Sequence, residues 1–504
     1  MTIALTIGGI VLYLIAMFAI GFAAFRQNKA GDADDWFVVG RKANLFMLVG
    51  TLFATWFSTF AFLGGPGTFY LKGVDWLLFG FFNSMGPVLV MIIGPRVWAL
   101  GKRFGFITPA DLLAHYYNDS RRLRLLTGLV CIAVLFPYAA IQLSGISVAL
   151  GSISEGLISY ETGIIGLAIC VGLYAIFGGS RAVVWTDAVQ GFIFAALLIG
   201  GSFAVVHWAG GWEAGWQAAI AAEPGKLAFG ADTRQGSYVT LLILWTFGWI
   251  LTPHLWQRLY MAESPRTLLL GSVITSFLAL FVVTFTGAVI GMVAMGMDLG
   301  DTSSLVSDAL VPMIFAKYLP VMGAVLVVAV FAAGMSTLDS QIISASSNFT
   351  QDLYGSFDRL DQSKKMKASR YFEGAFVIAV VLFSLSDAGR QLLIPLASIG
   401  VGMALVFLMP LLGALFWPRA SEEAAFWSML CGWGVMLAMQ FGLVSLPGSI
   451  GPALWGLIVS MVLFYGISFA TQPVAAKKRK EFQEDLDDVF PEPRAARGLP
   501  ALPR

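Results

Sequence analysis

Hydrophobic residues along this chain come in long unbroken runs, without the alternation of a strand or the one-sided stripe of a soluble helix. A bilayer crossing takes about 20 apolar residues. Runs of about that length fall at about 3–25, 44–70, 74–100, 124–150, 160–177, 183–209, 237–255, 267–296, 320–348, 371–388, 391–416, 424–444 and 450–471. Thirteen transmembrane helices are therefore expected. The runs at 160–177 and 371–388 are short, and Gly64, Gly65, Pro66 and Gly67 interrupt the second. Between runs, residues 104–124 open on Thr108-Pro109 and predict a short interfacial helix. The outer segment 208–236, with Trp212 and Trp216, is expected on the surface. The first run lacks a basic lead and a small-residue cleavage site, so it reads as a retained span and not as a signal peptide. Residues 1–471 form the membrane domain. Residues 472–504 are expected to be a charged cytoplasmic tail, solvated and at most briefly helical.

The charges test this division. Lysine and arginine favour the cytoplasmic side of a membrane protein. With the N-terminus outside and the C-terminus inside, only Lys72, Lys226, Arg234, Lys317 and Arg390 fall on the outer side. Arg258 counts among the inner loops. Composition agrees: 58% of residues are hydrophobic and 12% charged, against about 25% charged in soluble domains. The chain reads as an all-α polytopic membrane protein with the lipid bilayer as its surroundings. A net charge of +1 gives no reason to expect nucleic acid, and no obligatory protein partner is evident. Cys131, Cys170 and Cys431 sit inside apolar runs as small core residues. No nucleophile–base set and no phosphate loop is visible, so no enzyme activity is expected.

Polar residues inside an apolar run carry the functional signal. The stretch Phe331–Tyr354 holds Ser336, Thr337, Asp339 and Ser340 in quick succession. A carboxylate at mid-bilayer costs roughly 2.5–3.5 kcal/mol even on the lenient insertion scale. Helical spacing puts Ala333, Ser336, Thr337 and Ser340 on one face. That face offers a hard cation an array of oxygens; the plainer alternative is hydroxyls bonding back to their own helix. The spans also divide. Two to six (44–209) and seven to eleven (237–416) make two sets of five in opposite orientation, the arrangement of an inverted repeat. Each set opens on a span with helix breakers: Gly64–Gly67 in one, Gly248 and Pro253 in the other. Unwound backbone there exposes polar groups to a ligand.

Several separated motifs resemble the sodium/solute symporter family of sugar, proline, pantothenate and monocarboxylate carriers. They are Asp35-Trp36-Phe37 with Gly40-Arg41; Thr108-Pro109-Ala110-Asp111; Gly178-Gly179 followed by Trp185-Thr186-Asp187 and Gln190; and Ala333-Gly334-Met335-Ser336-Thr337-Leu338 with Asp352-Leu353-Tyr354. The proline permease branch is similar in Ala54–Ser58 and in Trp245–Trp249 with Pro253-His254. The chain departs from that branch at Trp56, where it has an aspartate, at Phe60, where it has a tryptophan, and at Trp249, where it has a tyrosine. The resemblance implies a LeuT-like fold, with one extra helix before the repeats and two after, in a bacterial-type inner membrane. It implies sodium as the coupling ion and a small organic solute as cargo, carried by alternating access.

Carried over by position, a first sodium site takes the carbonyls of Ala54, Phe57 and Ala333 and the hydroxyls of Ser336 and Thr337. Some family members bind a second sodium. Asp187, Asp339 and Ser340 map to that place, with Asp339 where a serine is usual. This implies a second cation site of higher charge, or a carboxylate pair that takes a proton; the plainer alternative links Asp187 to Arg181 or to a helix N-terminus. Solute candidates are Ser58, Phe60, Asn83, Gln142, Trp245 and Trp249, with the aromatic rings closing over a small ligand. No basic residue is expected at mid-membrane. The rival functions are a proton-coupled carrier on the same fold and a transporter-like sensor.

Overall fold

The computed structural model describes residues 2–26, 33–154, 156–230, 235–300, 307–319, 323–356, 362–390, 393–448 and 450–483. The described residues are helical, as lipid demands, because helices satisfy their own backbone groups. In chain order, α1 is Thr2–Phe25 and α2 is Ala33–Val38. The first broken span is α3 (Leu45–Trp56) and α4 (Gly65–Lys72), and the next is α5 (Leu77–Ser84) with α6 (Gly86–Phe104). A short α7 (Pro109–Tyr116) precedes the long α8 (Arg121–Ile153) and α9 (Tyr160–Trp208), and α10 (Trp212–Ala222) lies in the connection that follows α9. The second half holds α11 (Gln235–Leu251), α12 (Pro253–Met261), α13 (Pro265–Phe277), α14 (Phe285–Ala294), α15 (Leu310–Tyr318), α16 (Gly323–Asn348), α17 (Gln362–Leu385), α18 (Leu393–Ala404) and α19 (Leu408–Phe416). It is followed by α20 (Glu422–Gln440), α21 (Pro452–Ala470) and α22 (Ala476–Gln483).

Nine helical stretches among the described residues are long and apolar enough to cross a membrane, ten if the bent pair α11–α12 counts as one. The two expected spans 160–177 and 183–209 both lie in α9, which breaks between them at Gly179 (φ +67°, ψ +174°, outside the helical region). A Cβ there would also press within 2.9 Å of the Trp36 ring, so the Gly-Gly motif serves both the kink and the seat of Trp36.

The break in the second run is not at its glycines. Helix α3 ends at Trp56, Phe57 is extended (φ −99°, ψ +98°), and helical turns resume from Phe60 through Gly64 into α4. Pro66 sits where those turns pass into α4. Gly67 instead allows close approach: a Cβ there would lie 1.7 Å from the Ser307 carbonyl oxygen. That contact presses the loop before α15 onto α4. Asp308 in the same loop accepts a hydrogen bond from the Leu393 N–H at the start of α18 (3.0 Å). The partner break falls at Thr252, where α11 and α12 meet at 53°.

The start of α3 and the end of α12 are tied directly. Ala43 N–H donates to the Met261 carbonyl (2.9 Å), and Glu263 N–H donates to Ala43 (3.0 Å). Trp98 of α6 donates its indole N–H to the Ala262 carbonyl (2.7 Å). Several separated motifs meet on one side of the bundle. Asp111 caps α7 and pairs with Arg124 (2.6 Å), which also reaches Asp352 (3.0 Å). Arg181 pairs with Asp35.

The charged tail is not simply solvated. Its helix α22 docks with Phe482 fully buried against Phe104, Phe106, His115 and Tyr116. Lys478 pairs with Asp119 (3.0 Å), and Arg96 donates to the Gln483 carbonyl (3.2 Å). Tail residues 484–504 lie outside the described residues.

Candidate functional site

The oxygens expected of a first cation site come together where α3 ends against α16. Ser336 Oγ donates to the Ala54 carbonyl at 2.9 Å and to the Ala333 carbonyl at 3.1 Å. Thr337 Oγ1 lies 3.3 Å from the carbonyls of Ala54, Thr55 and Ala333. Ala54 can offer its carbonyl because the helix stops two residues later, leaving no following turn to claim it. Phe57 occupies the break itself. Ser336 and Thr337 are fully buried. These are neutral oxygens of the kind a hard monovalent cation accepts, and they join the two repeats, since α3 belongs to one and α16 to the other.

One turn further along α16, Ser340 Oγ donates to the Ser336 carbonyl (2.9 Å). Asp187 of α9 lies beside it: Thr51 donates to Asp187 Oδ2 at 2.5 Å and Thr55 at 3.2 Å. Asp339 Oδ1 accepts from the Ser340 N–H (2.6 Å). Asp187 Oδ1 and Asp339 Oδ2 are buried with no hydrogen-bond partner among the described residues. The residue sequence reasoning missed is Arg258. It is 2% exposed, on α12, and bonds Ser340 Oγ through Nη2, Thr55 Oγ1 at 3.0 Å and Asp187 Oδ2 at 3.4 Å. The expectation that no basic residue lies in the membrane interior is therefore corrected. Arg258 counted as a loop charge because it sits near the end of an apolar run, but the break at Thr252 turns α12 inward. Asp187 is linked to Arg258 and not to Arg181, whose carboxylate partner is Asp35. The first span reaches the same region through Tyr13, whose hydroxyl accepts from Gln190 (2.6 Å).

The expected aromatic group assembles beside the break. Phe60 stacks on Trp245 (5.9 Å between centroids) and on Trp249 (5.5 Å), and the two indoles meet at 5.1 Å. Tyr138 closes on Trp249 edge-on (5.3 Å). A narrow cavity of about 20 Å³ adjoins this cluster, lined in part by Phe60, Trp76, Phe79 and Asn83. Two expected polar residues already have structural work. Asn83 Oδ1 accepts from the Trp56 indole (3.2 Å). Gln142 Oε1 accepts from the Thr59 hydroxyl (3.0 Å) and amide (3.4 Å), so it satisfies the backbone at the break. The indole N–H groups of Trp245 and Trp249 are buried with no partner among the described residues, as are both ring nitrogens of His254. Ser58 is buried at the break.

A family model described as the sodium:solute symporter family matches residues 36–432. The chain belongs to this family. Its sodium:solute symporter relatives include a sodium/pantothenate symporter of Haemophilus influenzae, 28% identical over 86% of this chain and 90% of the relative. A sodium/proline symporter of Escherichia coli is 27% identical over 94% of each chain. Among solved structures, a Na+-coupled sialic acid symporter in a substrate-bound outward-open state matches with a TM-score of 0.78 and 18% identity, covering 94% of this chain and 98% of that one. The crystal structure of MhsT in complex with L-phenylalanine matches with a TM-score of 0.52 and 12% identity over 84% of this chain and 98% of that one. The fold is thus LeuT-like, and this sodium/solute symporter is a membrane carrier, not an enzyme.

Proposed function

We propose that this symporter binds its coupling sodium between the Ala54, Phe57 and Ala333 carbonyls and the Ser336 and Thr337 hydroxyls, and imports a small carboxylate-bearing solute. The observation that carries the solute reading is the pair of unpartnered indole donors, Trp245 and Trp249, which pack on each other and on Phe60. A buried donor without an acceptor costs about 1–3 kcal/mol. A solute oxygen arriving there removes that cost, while the ring faces cover its apolar part. Pantothenate and proline, named for the relatives, each carry a carboxylate. Ser58 at the break adds a hydroxyl, and Asn83 and Gln142 hold the surrounding backbone and Trp56 in place. Asp187, Asp339 and Ser340 form the second polar group beneath the sodium oxygens.

The proposed orientation puts the N-terminus outside and α22 in the cytoplasm of a bacterial-type cell, with the chain in its inner membrane. Sodium that bridges α3 and α16 favours one arrangement of the two repeats over the other, which is how occupancy biases access. One cation crossing about 100 mV contributes roughly 2.3 kcal/mol, and a tenfold gradient adds about 1.4 kcal/mol. Together they support a solute gradient of several hundredfold.

Uptake into liposomes containing the purified protein tests the proposal. Radiolabelled proline, other amino acids, short monocarboxylates, pantothenate and a neutral sugar are offered with and without an inward sodium gradient. Sodium-driven uptake of a carboxylate solute is expected. Equal uptake on a proton gradient in sodium-free buffer, or sodium-driven uptake of the sugar alone, would overturn it.

A further inference from the structure

The group whose position says most at this site is the Arg258 guanidinium. It touches three elements besides its own. On α3 it donates to Thr55 and, through Nε, to Thr51 (3.3 Å); on α9 it meets Asp187; on α16 it meets Ser340. Its Nη1 donates back to the His254 carbonyl of α12 (2.7 Å), which fixes the head group. We propose that this guanidinium is a built-in cation holding the second ion position, so that the carrier binds one sodium where the same oxygens without Arg258 would bind two. The inference rests on the first-site assignment given under Proposed function.

Two observations carry it. The first is that the oxygens are already taken. Asp187 Oδ2 accepts from Thr51, Thr55 and Arg258 at once. Ser340 Oγ accepts from Arg258 while donating to the Ser336 carbonyl. A sodium ion using Asp187 and Ser340 would have to sit within bonding distance of the same two atoms, beside a fixed positive charge in a fully buried place. Like charges at that range repel strongly where the dielectric is low. The second is what remains. Asp187 Oδ1 and Asp339 Oδ2 have no hydrogen-bond partner among the described residues, and both carboxylates are fully buried. With the guanidinium gone, two carboxylates and the Ser340 hydroxyl would lack a cation that they need, and burial makes an uncompensated charge costly. The arrangement also links the two positions. The bonds run from the guanidinium through Ser340 Oγ to the Ser336 carbonyl, on the turn that presents the first-site hydroxyls.

Counting bound sodium tests this without knowing the solute. Equilibrium binding of ²²Na⁺ to purified protein in lipid nanodiscs is expected to give one ion per chain for the wild type and for Arg258→Lys. Arg258→Gln and Arg258→Met are expected to give two, and adding Ser336→Ala to Arg258→Gln should remove one of them. A purely structural ion pair would leave the count unchanged. Two ions in the wild type, or one in either neutral variant that keeps the wild-type elution profile, overturns the inference and leaves the symporter reading intact. No bound sodium in the wild type overturns the first-site assignment itself. If both neutral variants fail to fold, the wild-type and Lys counts decide: two in either overturns the inference, and one in each supports it.

Discussion

Ser336 and Thr337 each add one neutral oxygen to the proposed sodium site, and each also bonds the Ala54 carbonyl. Ser336→Ala and Thr337→Ala are each expected to weaken sodium binding at least tenfold, about 1.4 kcal/mol, with normal membrane insertion; ²²Na⁺ titration of the purified variants measures this. At the solute site the ring and its N–H separate cleanly. Trp245→Phe keeps the stack on Phe60 and removes the unpartnered donor. It should raise the solute KM about tenfold, the worth of one hydrogen bond to a charged group, and Trp245→Leu should raise it further. Equal values for the two variants would show that only the ring matters. The hydroxyl cluster was legible in sequence because polar residues in an apolar run need partners. Arg258 was not, since its place near the end of a run fits a loop charge as well as a buried one. Only the turn at Thr252 decides between them.

Among the elements, the two broken spans show where pattern reading holds and where it slips. Both were expected from glycine and proline. In the second, Pro253 does stand at the break, in the first turn of α12. In the first, the glycines lie inside helical turns and the break comes at Phe57, a residue with no local signature. Gly67 serves packing instead, and Asp308 completes that seal by capping α18. Asp308→Ala removes this cap, which at a helix N-terminus is worth about 0.5–2 kcal/mol. The seal should open more often, read as faster thiol labelling of a cysteine placed at Phe60, against unchanged labelling in Asp308→Asn. The tail helix carries its own pH signature. Burial raises the Asp119 carboxyl, but hydrogen bonds from Lys478 and His115 outweigh it and hold the group below the usual aspartate range. Docking is therefore strengthened fully above that range and loses this contribution as pH falls through the depressed value. Proteolysis at Lys477–Lys480 should stay slow at neutral pH and quicken only in strong acid.

For the whole molecule, hydropathy and charge placed nearly every apolar element, because a bilayer leaves the backbone few choices. They misjudged the tail: α22 binds where solvent was expected. That last feature has a practical side. The helix ends at Gln483, gripped by Arg96 of α6 and by the Ala414 carbonyl of α19. A fluorescent protein or affinity handle fused directly to Gln483 in place of residues 484–504 would pull on the aromatic nest around Phe482, and its drag would pass straight into α6 and α19. Expression screens that rely on such fusions would then be reporting on a perturbed carrier.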